Sequence, residues 1–330
     1  MRIKYYTIYN TKKINTGDFL NLISELNSYG KNKKPFFFII NYDMTKWDII
    51  ELENLPSDIL YSIDKKETIN HNLHLETIFE DYLSYKNKFN NILKNIKNGN
   101  TYLINFTSKT KILNNVDLKK TYINANAKYK LFYKDKFTSF SPETFVTICN
   151  NKINAFPMKG TINANINDAK NILLNDEKEL AEHTMIVDLI RNDLSIVASN
   201  IKVESFRYID KIKAGNNELL QASSHISGTL NNSWHENIGD LIVPLLPAGS
   251  ITGTPKKKTL EIISNIEDFN REYFTGIWGV YDGNTLDSSV LIRFIQKENN
   301  SFVYKSGGGI TIDSICQNEY QEMKDKVYVP

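Results

Sequence analysis

Lys159 stands in Phe156-Pro157-Met158-Lys159-Gly160-Thr161, between a proline that restricts the backbone and a glycine that frees it. A bend of this composition can bring its backbone close to an anionic ligand. Alone it means little, because most lysines are solvated charges and this chain has 35. Glu143 lies 16 residues earlier, in Ser141-Pro142-Glu143, with a turn at Asn150-Asn151 between them. That spacing fits a strand, a turn and a return strand, a hairpin that would bring Glu143 and Lys159 to one end of a shared site. An isolated Glu143 would simply be a carboxylate exposed in a turn. Arg293 falls in an apolar run, where a guanidinium is costly to bury unless it meets an anion, and a carboxylate is its bidentate match. Glu319 and Glu322, three residues apart, share one helical face, and most such pairs are surface charge.

These side chains need rigid elements behind them. Phe89, Ile92, Leu93 and Ile96 mark an amphipathic helix stopped by Gly99, followed by a strand over 101–107. Residues 143–149 read as a strand. Asp176 and Glu179 resemble a capping box at the start of a helix whose core face is Leu180, Ile186, Val187, Leu189, Ile190 and Leu194. Pro255 fits the first position of a further helix with Leu260, Ile263 and Ile266 buried. Strands are expected around Gly279, over 288–296 and over 302–305, and Gly307-Gly308-Gly309 on its own reads as a flexible turn. Ser314 and Gln317 form a capping box for the last helix. Near the start, 35–40 is a buried strand, and His71 and His74 are a solvated pair with nothing nearby to complete a metal site.

A chain of 330 residues with 41% apolar composition can bury a substantial core. Its net charge of +2 argues against a dedicated nucleic-acid binder. Arginine is scarce, at positions 2, 191, 207, 271 and 293, so each one inside a motif is informative. Cys149 and Cys316 are far apart and fit no metal spacing, which suits a reducing compartment. No run is long and apolar enough for a bilayer or a signal peptide, so the expected location is cytoplasmic and away from membranes.

Over residues 85–328, several strings occur together and in order. They are Ser141-Pro142-Glu143, the Pro157 to Thr161 stretch, Ala181-Glu182-His183 followed by Val187-Asp188-Leu189, Gln221 to Gly228, Gly249-Ser250-Ile251-Thr252-Gly253-Thr254-Pro255-Lys256, and Glu319 with Glu322. The set resembles the chorismate-utilising enzymes, anthranilate synthase component I-like proteins. Within them Pro-x-Lys-Gly-Thr is most similar to the aminodeoxychorismate synthase component I branch.

The resemblance implies an α+β fold, with large, mostly antiparallel β-sheets packed together and helices outside. A shortened segment, 1–80, would pack on a chorismate-binding catalytic domain, 81–330. It implies that Lys159 is a nucleophile, that Glu143 lies beside the C4 hydroxyl of chorismate as general acid, and that His225 lies near the ring. Gly160, Thr161, Ser250, Thr252 and Phe274 would line the substrate, and Arg293 with the amides of Gly307 and Gly309 would hold a carboxylate. Glu182 and Glu322, with Glu319 close by, would bind Mg²⁺. Ammonia would come from a separate glutamine amidotransferase subunit, since neither cysteine has a catalytic setting. A downstream aminodeoxychorismate lyase would complete the route to 4-aminobenzoate and folate.

Three departures stand out. Phe274 replaces a common tyrosine, Leu103 stands where relatives carry glutamine or lysine, and Asn126-Ala127-Lys128-Tyr129 replaces a stretch that forms part of a tryptophan inhibitor site. The competing readings are anthranilate synthase component I, which normally has a small residue at the Lys159 position, and an isochorismate or salicylate synthase, which would want a lysine near Leu103. A non-catalytic scaffold that binds an amidotransferase is the remaining one.

Overall fold

The computed structural model describes residues 16–64, 73–214 and 217–330. His71 falls outside them, and His74 is exposed. In chain order the described elements are α1 (Thr16–Lys31), β1 (Phe36–Ile40), β2 (Trp47–Glu51), β3 (Ile59–Ile63), β4 (Thr77–Ile78), α2 (Tyr82–Lys97), β5 (Leu103–Ile112), α3 (Leu118–Asn124), β6 (Tyr129–Tyr133), β7 (Phe137–Ser141), β8 (Thr144–Cys149), β9 (Lys152–Ala155) and β10 (Met158–Asn163). There follow α4 (Ala169–Asn175), α5 (Glu177–Val197), β11 (Ser199–Ala214), β12 (Asn217–Thr229), α6 (Ile238–Ile242), β13 (Gly253–Thr254), α7 (Lys256–Ile266), β14 (Ile277–Tyr281), β15 (Leu286–Val290), β16 (Phe294–Glu298), β17 (Ser301–Ile310) and α8 (Cys316–Asp325). Two large antiparallel sheets flanked by helices make this the expected α+β class.

The chain divides into two compact units, each built on one sheet. The first gathers Met1–Leu55, Glu143–Ser250 and Gly276–Val290, as far as these are described. Its sheet runs β10-β12-β9-β8-β15-β14-β1-β2, with β11 also paired to β12. All five residues of β1 are fully buried, as five consecutive apolar residues between two neighbouring strands require. The second unit gathers Pro56–Pro142, Ile251–Thr275 and Leu291–Pro330, and its sheet runs β13-β5-β17-β16-β7-β6-β3, with β4 also on β5. Residues 1–80 thus supply strands to both sheets: β1 and β2 to one, β3 and β4 to the other.

Local chemistry explains most boundaries. Asp81 caps α2 by accepting from the Ser84 amide at 3.1 Å, and Gly99 (φ 72°) ends its last turn. Asn150 and Asn151, with φ of 50° and 58°, make the two-residue turn joining β8 to β9. Two expectations need correction. The single strand over 288–296 is two strands in different sheets, β15 and β16. Arg293, just before β16, is at a bend with φ 52° rather than within a strand. Gly307-Gly308-Gly309 is not a turn but regular strand in β17, paired with Thr107, Phe106 and Asn105 of β5. A side chain at 307 would collide with the Phe106 carbonyl, 2.1 Å from where its Cβ would sit.

Candidate active site

In the first unit, β9 and β10 run end to end along one edge of β12. Ala155 pairs with Ile226 and Met158 with Ser223 in an unbroken register, interrupted only by Phe156-Pro157. The β8–β9 hairpin pairs Thr147 with Asn154, and beyond that pair Glu143 and Phe156-Pro157 line one recess. Past Met158 the register shifts, so Lys159 and Gly160 together oppose Ala222 in a β-bulge. The bulge needs its glycine. Gly160 has φ 81°, and a Cβ there would lie 2.8 Å from Glu179 Oε2 and 3.0 Å from Leu173 Cδ1. Gly160→Ala is therefore expected to strain the bulge by about 1–3 kcal/mol and to lower any turnover that depends on Lys159 well beyond its effect on melting temperature. Thermal unfolding and initial rates on the same preparation check this.

Helix α5 supplies the carboxylates facing that bulge. Asp176 caps it, accepting from the Glu179 amide at 2.9 Å. Lys159 Nζ reaches Glu182 Oε2 at 3.3 Å, and Lys178 lies 3.8 Å from the other oxygen. Glu182 is only 6% exposed. Glu179, one turn before it, was legible in the sequence only as a cap. Burial first, then the neighbouring Glu182 charge, pushes its carboxyl above the ordinary glutamate range. His183 is wholly buried, with Nε2 2.6 Å from Ser224 Oγ. Leu180, expected in the core, is 40% exposed, while Ile186, Val187, Leu189 and Leu194 are buried. Asp188 and Arg191 pair with each other on the exposed face of the helix.

Glu143 accepts a short hydrogen bond from Ser250 Oγ, and its own carbonyl accepts from Ser289 Oγ at 2.9 Å and from the Val290 amide. Both Glu143 and Ser250 line a recess of about 420 Å³, open mouth included, whose other walls include Pro157, Asp193, Leu245 and Ala248. Its lining is mostly apolar, as small-molecule sites usually are. Thr161 is exposed on β10. His225 goes elsewhere. Its Nε2 lies 3.0 Å from Asn154 Oδ1 and its ring stacks on Phe156 at 4.8 Å. Side chains alternate along β12, so His225 and Ser224 point to opposite faces, and Ser224 has the α5 face. The structure does not bring His225 to Lys159.

The second unit carries the remaining candidates. Arg293 has a buried Nε without a hydrogen-bond partner, and its guanidinium lies over the Tyr328 ring at 5.3 Å. A buried donor left open is what an anionic ligand would satisfy. β17 continues past its last pairing with β16, Phe294 with Lys305, so Gly307 and Gly309 lie where β5 alone is the neighbouring strand. Glu319, 5% exposed, accepts from Ser314 Oγ at 2.7 Å. Ser314 thus serves Glu319, and Ile315 is the cap of α8. Glu322 pairs with Lys326 at 2.6 Å, and both carboxylates flank Gly308, 3.2 and 3.7 Å from where its Cβ would be. Among the described residues no group of three metal-ligating side chains is assembled; each unit holds a carboxylate pair, Glu179 with Glu182 and Glu319 with Glu322. Oxygen-only pairs are the donor type Mg²⁺ takes, usually with retained waters.

Phe274 is 2% exposed and packs on Phe294, in a loop held by a buried polar network. Arg271 binds Glu267 through both Nε (2.8 Å) and Nη2 (2.6 Å), and donates to the carbonyls of Ile251 and Asn105. Leaving either charge alone there would cost about 3–5 kcal/mol. Thr252, fully buried, accepts from the Asn105 amide at 2.7 Å. Leu103 is buried and pairs with Thr254. Lys305 donates to Gln296 Oε1 and to the carbonyls of Asn270 and Arg271. Burial pushes its amine down to about 8, against a partial pull upward from Glu298 and Glu272. Between the unfolded value near 10.4 and about 8, the unfolded chain binds a proton that the folded chain does not. This group's contribution to stability therefore rises with pH across that window, by at most about 1.4 kcal/mol per unit. Denaturant titrations from pH 8 to 10 should show a shallower rise for Lys305→Met than for the wild type.

Comparison with known proteins places the sequence in a family. Residues 48–330 match the chorismate binding enzyme family. A PabA-like protein of Haemophilus influenzae is 46% identical over 94% of this chain and 96% of its own length. Aminodeoxychorismate synthase component 1 of Escherichia coli is 32% identical over 74% of this chain, which spans 56% of that protein. The menaquinone-specific isochorismate synthase MenF of Escherichia coli shares the fold, with a TM-score of 0.70 at 15% identity over 93% of this chain and 80% of MenF. With its family strings folded into one bulged strand, one helix and two carboxylate pairs, the chain belongs to the chorismate-binding enzymes.

Proposed function

We propose that this chain is aminodeoxychorismate synthase component I, converting chorismate and ammonia to 4-amino-4-deoxychorismate. The observation that carries the reading is Lys159, an amine presented by a bulge in a rigid sheet and met by Glu182 at 3.3 Å. Similarity to aminodeoxychorismate synthase component 1 supports the same choice. In the first step Lys159, neutral and released from Glu182, attacks C2; both ring double bonds shift by one position, the C4 hydroxyl leaves as water with a proton from Glu143, and the new C2 ammonium keeps its proton. Ammonia then attacks C4, both double bonds shift back, the lysine amine leaves C2 neutral, and the proton on the new C4 ammonium returns to the Glu143 carboxylate. Ser250 orients the Glu143 carboxyl throughout. Arg293 and the amides of Gly307 and Gly309 take a substrate carboxylate. Mg²⁺ is the expected cofactor: Glu182 in one unit, and Glu322 with Glu319 in the other, are oxygen donors of the kind that would hold it, and when bound it would neutralise a substrate carboxylate and draw electron density from the ring. Glutamine-derived ammonia is expected from a separate amidotransferase subunit, and the product passes to a lyase that releases 4-aminobenzoate. Among the described residues no helix is long and apolar enough to cross a membrane.

Product identification tests the reading. The isolated chain, given chorismate, Mg²⁺ and high ammonium at mildly alkaline pH, should form an aminated product that keeps its enolpyruvyl group and yields 4-aminobenzoate with added lyase. Anthranilate as product would assign the chain to the anthranilate synthases, which are also among its relatives. Isochorismate or salicylate would make water the nucleophile. Failure to turn over chorismate even with an amidotransferase present would leave a scaffold.

A further inference from the structure

Ser224 sits between two irregularities of the sheet. On one edge of β12, Ser224 N donates to the Pro157 carbonyl at 3.0 Å, two residues before Lys159. On the other edge, Phe206 and Arg207 together oppose Ser224 in a second bulge, with Arg207 at φ 50°. The Ser224 hydroxyl closes that second bulge by accepting from the Arg207 amide at 3.0 Å. It also lies 2.6 Å from His183 Nε2, on the residue next to Glu182 in α5. The Arg207 guanidinium extends the tie, donating to the carbonyls of Leu173 and Leu174 at the end of α4. Leu173 in turn is one of the two side chains against Gly160.

We infer that Ser224, through His183, is a positioning residue that fixes the bulge carrying Lys159 against helix α5. The inference rests on the reading of Lys159 as the reacting amine. The serine hydroxyl, with one proton and two lone pairs, can accept from the Arg207 amide and still make its bond to His183 Nε2. Nδ1 lies beside the Lys159 backbone without reaching hydrogen-bonding geometry in this structure. A bulge adds a residue to one strand and so can re-aim a side chain, but its extra residue has no partner of its own. An amine that must meet one ring carbon tolerates little play, and here the restraint comes from the neighbouring strand and from the helix that bears Glu182.

Ser224→Ala in the full chain tests this with two measurements. One is acetic anhydride labelling of Lys159, read by peptide mass spectrometry against Lys297, which is half exposed in the other unit. The second is steady-state kinetics with chorismate and ammonium. The expected result is a severalfold change in Lys159 labelling with Lys297 unchanged, and kcat lower by roughly 10- to 100-fold with KM nearly constant. His183→Gln, which can still meet the serine hydroxyl, should recover more kcat than His183→Ala. Wild-type labelling and wild-type kcat in a folded Ser224→Ala protein would overturn the inference. So would a uniform rise in labelling at all lysines, which would mean that Ser224 only holds the fold together. If Ser224→Ala does not fold, His183→Ala carries the same comparison. If the wild type forms some other product, the function proposed above fails while the labelling arm still decides the role of Ser224.

Discussion

Lys159→Ala is expected to fold normally and to lose C4 amination of chorismate by about a thousandfold or more, the scale of removing a nucleophile that splits one hard step into two. Lys159 is one-fifth exposed and pairs with Glu182, with Lys178 also 3.8 Å from that carboxylate, so Glu182 keeps a cation when Lys159 is removed. Any residual reaction should be informative in its regiochemistry. Without the lysine at C2, ammonia added to the assay can itself reach that carbon, and the amine would then appear at C2. Chromatography with mass detection separates the two aminated isomers. C4 amination at the wild-type rate would sink the covalent scheme.

Glu143→Gln is the second large effect. The amide keeps the shape of the side chain and can still accept from Ser250, but it has no proton to give to a departing hydroxyl. Turnover should fall about 10²- to 10⁴-fold, the range for losing a positioned general acid. KM for chorismate should change little, because the interaction is made chiefly in the transition state. A variant whose KM rises while kcat holds would instead make Glu143 a binding group, and the acid would have to be sought elsewhere.

Much of this could be read from residue order. The Asn150-Asn151 turn, the hairpin it closes and the helix stopped by Gly99 all follow from local chemistry, which sequence carries directly. The run over 288–296 misled because a β-branched and apolar stretch looks the same whether it lies in one sheet or passes between two; only the positive φ at Arg293 breaks it. Glu179 was legible as a capping residue, and its second relation, to Glu182 and Gly160, depends on a bulge that no spacing rule announces. His183 and Ser224 are ordinary polar residues in a helix and a strand. Their tie exists only because β11 and β10 bulge on opposite sides of β12. His225 was placed by resemblance, and strand alternation puts it on the other face from Ser224.

The interleaving of the two units has a consequence for how the polypeptide can be taken apart. The backbone passes from one unit to the other at five points, after residues 55, 142, 250, 275 and 290. Two of them fall inside the strings that identify the family: Pro142-Glu143 and Ser250-Ile251. No single cut, and no exchange of one contiguous gene segment, yields either unit whole. Each sheet must wait for strands synthesised more than two hundred residues apart, such as β1 beside β14, so folding is expected to be late and slow rather than piecewise from the N-terminus.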